Sequence, residues 1–512
     1  MNSDFAGGWS SCSVQCFVNA AGATFSGSSS HAFRALSVAR CFRVKECFFG
    51  SRLAWGAGIC SAHGLFMSAS KLSRTIQIYG SVLALATPML LGQAGQVLLQ
   101  LTDTVMVGRL GAVPLAGAAL AGNLVMFALY FAYGALGAVA PSIGQAFGSK
   151  DFGTLRTVAR ASLWLGLAVG SLAAIALTAL VPFLGNLGQP PEVVAVCGGY
   201  LALIAWSLPA AMLCLVLGQT AEAVNRPWPV MGILVGAVVL NAGLNLLLIF
   251  GHWGFPALGL EGAGWATLIS RLVQAAALGI WIQRDRVFVE MKKWEPVGRA
   301  AETFRGLLKQ GLPVAAQDVL EGGSFAVGAL MLGWLGTTAL AANQVTIGIA
   351  SLAWMFPIAL STAASVRVAQ AAGAGDLAEA RRVGLAALSL SVMLMAVCAV
   401  FYITFGHFLA GLFTSDPAVV ALAGQLVIIA GIYQISDAIQ SVSLGSLRGL
   451  LDNRVPMVAN AICYWGLSLP TVYILAFPLG WGAVGVWVGY LPWMVLTGLF
   501  FLWRFLQRTR AK

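Results

Sequence analysis

Long apolar runs with short polar interruptions follow one another from about residue 79 to the C-terminus. A helix needs about 20 mostly apolar residues to cross the hydrocarbon core of a bilayer. On that measure the pattern predicts twelve spans, at 79–107, 113–146, 158–184, 191–221, 229–250, 261–283, 306–334, 339–372, 382–412, 418–447, 455–477 and 482–505. Several exceed the minimum, which predicts tilt or helices that protrude beyond the lipid. Lipid-exposed backbone must satisfy its own hydrogen bonds, so the expected fold class is an all-α integral membrane protein.

The polar interruptions carry a second pattern. Basic residues gather after even-numbered spans: Lys150, Arg156 and Arg160 after span 2, Arg226 after span 4, a run from Arg284 to Lys309 after span 6. Arg381 and Arg382 follow span 8, Arg448 and Arg454 follow span 10, and Arg504, Arg508, Arg510 and Lys512 end the chain. Loops after odd-numbered spans hold only Arg109. Basic loops stay cytoplasmic, so both termini are expected on the cytoplasmic side of the cell (inner) membrane. A wrong span count would scramble this alternation.

Composition agrees with the pattern. Of 512 residues, 59% are apolar and 9% charged, against roughly 25% charged in soluble domains. The formal charge of +11 would suggest nucleic acid in a soluble protein; here it sits in short loops and sets orientation, so no nucleic-acid partner is expected. Nine cysteines form no disulfide framework or zinc spacing. Residues 1–66 differ from the rest: rich in Ser, Gly, Cys and Arg, without helical periodicity or the basic, apolar and small-residue order of a secretory signal. They read as a disordered or mis-annotated extension, with translation beginning at or near Met67.

The second half repeats the first at an offset of 225 residues. Pro88 matches Pro313, Met106 matches Met331, Gly111 matches Gly336, Gln145-Ala146 matches Gln370-Ala371, and Asp151 matches Asp376. Six spans per half is an even number, so both halves enter the membrane the same way, as a parallel repeat about the membrane normal. The expected organisation is an N-lobe over 67–283, a basic linker over 284–305 and a C-lobe over 306–512. Paired lobes suit alternating access around a midplane site, although a channel would also tolerate repeats.

A charge at the bilayer centre costs about 2.5–3.5 kcal/mol even on the lenient insertion scale. Asp103, Asp318, Glu321 and Asp437 nevertheless fall inside the spans. Gln96, Gln100 and Asp103 share one helix face by their spacing, and a polar stripe of this kind should face a cavity; the alternative is a carboxylate solvated at the outer end of span 1 near Arg109. Gln317 lies one turn before Glu321, and Tyr433 one turn before Asp437. Glu321, Tyr433 and Asp437 would suit a hard cation such as sodium and would equally suit protons; the alternative is a buried neutral cluster that holds the lobe together. Asn241 and Asn245 form an i, i+4 pair that can reach Asp103 or serve as interhelical glue. Asp318 is expected to extend the second cluster or pair with a neighbour, and Arg271, deep in span 6, to snorkel or find a carboxylate. No Walker motif or nucleophile–base set is present, so the energy source is expected to be an ion gradient. No cofactor and no catalytic activity are expected.

These pieces resemble the multidrug and toxic compound extrusion (MATE) family, NorM type. The matching segments run through residues 76–505 and include Leu85-Ala86-Thr87-Pro88, Thr102-Asp103-Thr104-Val105-Met106, Ala342-Asn343-Gln344-Val345 and Met355-Phe356-Pro357. Ser365-Val366-Arg367-Val368, Tyr433-Gln434-Ile435-Ser436-Asp437 and Gly445-Ser446-Leu447-Arg448-Gly449 complete them. The resemblance implies two six-helix lobes and export of cationic, aromatic compounds in exchange for sodium or protons. By position, Asp103 with Asn241 and Asn245 resembles the first-lobe proton- and substrate-linked site, and Glu321, Tyr433 and Asp437 the second-lobe cation site. Gln317 and Asp318 depart from the pattern, being polar where NorM-type chains are usually apolar, and Asn343 stands where His is common. A competing reading on a related two-lobe architecture is a flippase or dedicated exporter of a lipid-linked or endogenous metabolite; acids rather than Arg and Lys in the spans argue for cationic cargo. The expected partners are small cationic molecules and the lipid bilayer, with the protein acting as a monomer.

Overall fold

A computed structural model describes residues 59–254, 256–291 and 300–510. The chain divides into Met1–Leu72 and Ser73–Lys512. Of the expected extension over residues 1–66, residues 1–58 lie outside the described residues; the first described helix is Ile59–Gly108. Among the described residues there is no strand.

The elements follow the apolar runs. Span 1 is Ile59–Gly108, span 2 Ala112–Ala135 continued by Val139–Gly148, span 3 Phe152–Leu180, span 4 Pro191–Ala223, span 5 Pro227–Phe250 and span 6 Leu260–Arg284. Span 7 is Ala300–Trp334, span 8 Thr337–Gly373, span 9 Leu377–Gly411, span 10 Pro417–Gly449, span 11 Arg454–Ala476 and span 12 Gly482–Arg508. Eleven are long and apolar enough to cross a membrane outright. Span 7 has the length, but Lys309, Asp318 and Glu321 dilute its apolar run. Within the linker region the structure adds a short helix, Arg286–Met291; residues 292–299 lie outside the described residues.

Large apolar side chains stand on the surface: Leu98 is 57% exposed, Leu330 63% and Phe408 66%. A water-facing protein does not tolerate so continuous an apolar surface; a lipid-facing one requires it.

The repeat is visible in backbone chemistry. Gly111 and Gly336, 225 apart, hold φ of 112° and 114° at the starts of spans 2 and 8, a region that L side chains enter only with strain. Asp151 and Asp376 cap spans 3 and 9, accepting from Thr154 N at 3.0 Å and Glu379 N at 2.8 Å. The Thr154 hydroxyl and amide hold the exposed Asp151 carboxyl below its ordinary range. Pro88 and Pro313 interrupt spans 1 and 7 at equivalent places.

Contacts between the halves gather at the end that carries the basic loops. The carbonyl of Gln370 lies where a Cβ on Gly148 would sit, and the carbonyl of Gln145 where a Cβ on Gly373 would sit. Spans 2 and 8 therefore cross backbone to backbone, which only glycine permits. Gln145 Nε2 donates to Gly449 O at 3.0 Å; Gln370 Nε2 donates to Ala223 O at 2.8 Å and Asn225 Oδ1 at 3.2 Å. Spans 1 and 7 cross over to the opposite half there. Tyr79 OH pairs with Ser389 Oγ at 2.7 Å, and Gly311 and Val314 pack on Ala135 and Gly137. Towards the other end each lobe packs on itself, as where Val107 meets Ile249, Leu260 and Ala263.

Candidate functional site

Among the described residues, each lobe brings intramembrane carboxylates together with buried amides. In the N-lobe, Asn245 Nδ2 donates to Asp103 Oδ1 and to Asn241 Oδ1, the latter at 3.0 Å. Both asparagines are buried, at 1% and 0% exposure, and Asp103 is half-buried. The i, i+4 spacing places the amides one above the other on span 5, facing span 1. Gln96 and Gln100, the other members of the stripe, are exposed and make no side-chain hydrogen bond among the described residues.

In the C-lobe, Glu321 on span 7 is held by neutral groups. Asn460 Nδ2 donates to Oε2 at 3.0 Å, Tyr464 OH lies 3.3 Å from Oε1 and Gln440 Nε2 3.5 Å from it. Tyr464 and Gln440 also pair at 2.9 Å. Asp437 on span 10 accepts from Ser441 at 3.1 Å through Oδ1, while its buried Oδ2 has no partner among the described residues; the same holds for Asn460 Oδ1 and both amide atoms of Gln317. Tyr433 is half-buried, with its ring edge-on to Trp487 at 5.8 Å. Trp487 in turn donates to Asn343 Oδ1 at 3.1 Å. Asp318 does not join Glu321 but pairs with Arg448 Nη2 at 2.8 Å.

Tyr464 reaches Glu321 from an unusual backbone. Span 11 changes from α to π hydrogen bonding over Ala461–Ser468, and such wide turns recur at functional sites because they re-aim side chains. Gln440, Asn460 and Tyr464 are the members that sequence reasoning missed. Gln440 stands three residues after Asp437 and Asn460 four before Tyr464, so same-face spacing was a usable signal; the π turn left none.

Arg271 finds no carboxylate within 4 Å among the described residues; its Nη1 donates instead to Ser207 Oγ at 2.7 Å. Ser207 is fully buried and donates its own proton to Ile204 O at 2.6 Å, so its oxygen is free to accept.

Chemically, both clusters offer carboxylate and amide oxygens within the spans, and the C-lobe cluster adds the hydroxyls of Tyr464 and Ser441. Among the described residues no three His, Cys, Asp or Glu side chains gather into a metal-binding group, so a cation here would lean on neutral oxygens as well, which suits hard monovalent ions better than zinc-type metals.

Comparison with known proteins returns the same architecture. The MatE family model matches residues 88–247 and again 313–474, two segments whose starts are 225 apart. The chain is 36% identical over 437 residues to a probable multidrug resistance protein NorM of Rhizobium meliloti, covering 84% of this chain and 93% of that one. It superposes on the eukaryotic MATE transporter AtDTX14 with a TM-score of 0.76 at 20% identity, covering 85% of this chain and all of that one. For the Vibrio cholerae MATE transporter VcmN in its bent form the TM-score is also 0.76 at 20% identity, over 85% and 98% of the two chains.

Proposed function

This chain belongs to the MatE family of multidrug efflux transporters, and from that premise we propose that it is a secondary antiporter. It exports cationic, amphipathic drugs or toxic compounds across the cell membrane in exchange for sodium ions or protons. The observation that carries the reading is the pair of intramembrane carboxylate clusters, one per lobe, with no cationic side chain in salt-bridge contact with Asp103, Glu321 or Asp437 among the described residues. An uncompensated charge at that depth is costly and marks an ion or substrate pathway.

In this reading Asp103 receives cargo or a proton, steadied by Asn245 and Asn241. Glu321 and Asp437, with Tyr433, receive the coupling ion. Asn460, Gln440 and Tyr464 hold Glu321 in position through neutral groups, so its charge remains available to an incoming cation. The glycine crossing of spans 2 and 8 seals the basic-loop end. By the positive-inside rule that end faces the cytoplasm, and the arrangement then corresponds to a cargo path opening outward. Return of the lobes to the other arrangement requires the seal to break.

The test is reconstitution in liposomes with a cationic dye inside-loaded or outside-loaded and a sodium or pH gradient imposed separately. Movement of dye against its own gradient under one of the two is expected. Dye movement that ignores both gradients would overturn the antiport reading.

A further inference from the structure

A polar seam between spans 7 and 11 joins the basic-loop end of the C-lobe to Glu321. At its lower end is Asn453, which immediately precedes span 11 and whose Nδ2 donates to Gln310 O on span 7 at 3.1 Å. At its upper end Asn460 and Tyr464 of span 11 bind the Glu321 carboxylate. Gln317 lies between. The residues three and four places after it, Leu320 and Glu321, are both bound by span 11, the former through Trp465 Nε1 donating to Leu320 O at 2.8 Å. Helical spacing therefore turns Gln317 towards span 11, one turn nearer the basic-loop end.

Gln317, Asn453 and Asn460 are 1%, 2% and 0% exposed. Both amide atoms of Gln317, and the Oδ1 atoms of Asn453 and Asn460, nevertheless have no partner among the described residues. Buried amides are rarely left bare: where protein supplies no partner, water does. From Gln310 to Glu321 the seam runs about 16 Å along span 7, too far for one water to bridge, and the Gln317 amide stands part-way along it.

The N-lobe supplies the contrast. Gly92 stands 225 residues before Gln317, and there Leu234 of span 5 fills the space, its Cδ2 lying 3.6 Å from where a Cβ on Gly92 would sit. The shared scaffold is thus satisfied by an apolar contact at this place. A file of waters ending on a carboxyl passes a proton from oxygen to oxygen. Sodium would need its hydration shell replaced along the whole length.

We propose that the seam between spans 7 and 11 is a water-filled proton path, through which Glu321 releases its proton to the cytoplasm apart from the cargo cleft. This rests on the antiporter reading and deepens it, because it makes the coupling ion of the C-lobe a proton. In the step the O–H bond of the Glu321 carboxyl breaks, the nearest water gains that proton, and another leaves at the Asn453 end. The other titratable groups around Glu321 have partners of their own or stand on span 10. Asp318 pairs with Arg448, Tyr464 with Gln440, and Tyr490 donates to Ser324 O; Asp437 and Tyr433 are on span 10. Coupling requires the outward access of Glu321 to close before release, since a path open at both ends would only leak protons.

The test uses Gln317→Leu and Gln317→Met in the full chain. Neither loses a hydrogen bond within the protein, so both are expected to fold. X-ray radiolytic footprinting, read by mass spectrometry, labels side chains beside ordered water. Met457 and Tyr464 share the seam face of span 11 by their spacing from Asn453 and Asn460, and both are expected to be labelled in the wild type. In the variants their labelling falls towards that of Tyr402, buried in an apolar cluster. Efflux of a cationic dye driven by a pH gradient falls about tenfold, the factor for one lost hydrogen-bonded link, while dye affinity is retained. Labelling or pH-driven efflux that is unchanged in both variants overturns the proposal, as does wild-type efflux driven by sodium alone. Labelling that falls as expected in a protein whose wild type moves dye under neither gradient would leave the water path standing and strike the antiporter reading instead.

Discussion

Removing the side chain of Gln370 should tilt the balance between the two arrangements of the lobes. Its Nε2 makes two hydrogen bonds across the crossing, to Ala223 O and Asn225 Oδ1, and the residue is 9% exposed. Two neutral hydrogen bonds contribute about 1 kcal/mol each, and an acceptor left inside the contact adds a further penalty. Gln370→Ala is thus worth about 2–3 kcal/mol against the sealed form, a population change of roughly 30- to 140-fold. Gln145→Ala loses the single bond to Gly449 O, worth about 1 kcal/mol and roughly 5-fold. The exposed equivalents Ser149 and Ala374 take spin labels as cysteines in a cysteine-free background. Double electron–electron resonance then reads the fraction of molecules in the short-distance, sealed form. The expected order is wild type above Gln145→Ala above Gln370→Ala. Identical distance distributions in all three, or a larger loss in Gln145→Ala, would refute the assignment of these glutamines as the latch.

Other expectations concern the clusters and the scaffold. Asp103→Asn, Glu321→Gln and Asp437→Asn should each lower ion-driven dye efflux at least about tenfold while membrane expression is retained, because charge rather than shape is removed; full efflux in all three contradicts the site. Asp318→Asn strands Arg448 and should cost roughly 2 kcal/mol in detergent melting, less than the 3–5 for fully buried pairs, since both side chains retain about a quarter of their exposure. The cycle with Arg448→Gln should then show a coupling of about 1 kcal/mol or more, whereas additive single effects would deny the pair. Asp151→Ala should cost about 1 kcal/mol of stability at neutral pH through the lost cap of span 3. Because the native carboxyl titrates lower than the unfolded one, that contribution is present above the unfolded value and fades as pH falls through the native one. A wild-type-minus-variant difference that grew on acidification would contradict this.

The number and order of spans, the alternation of basic loops and the 225-residue repeat are all legible along the chain. Each follows from a local rule: hydrocarbon thickness sets the length of an apolar run, and charge resists crossing it. The same rule marks Asp103, Glu321 and Asp437, since a carboxylate within an apolar run stands out whatever surrounds it. Asn241 and Asn245 were readable as a pair because helical spacing is local too.

Only the packed bundle decided what those groups touch. Asn460 and Tyr464 meet Glu321 across 139 and 143 residues of chain, a meeting set by how span 11 is rotated and by its π turn. Whether Asp318 joined Glu321 or left for Arg448, and whether Arg271 found a carboxylate or a serine, depended on which helix faces met. Hydropathy does not encode that rotation: lipid is as apolar as a helix interior, so apolar periodicity gives weak guidance on which side turns inward. The seal at the basic-loop end was equally hidden. Gly148 and Gly373 stand just past the expected ends of spans 2 and 8, and nothing local marks them as the place where the carbonyls of Gln370 and Gln145 occupy the space of their missing side chains.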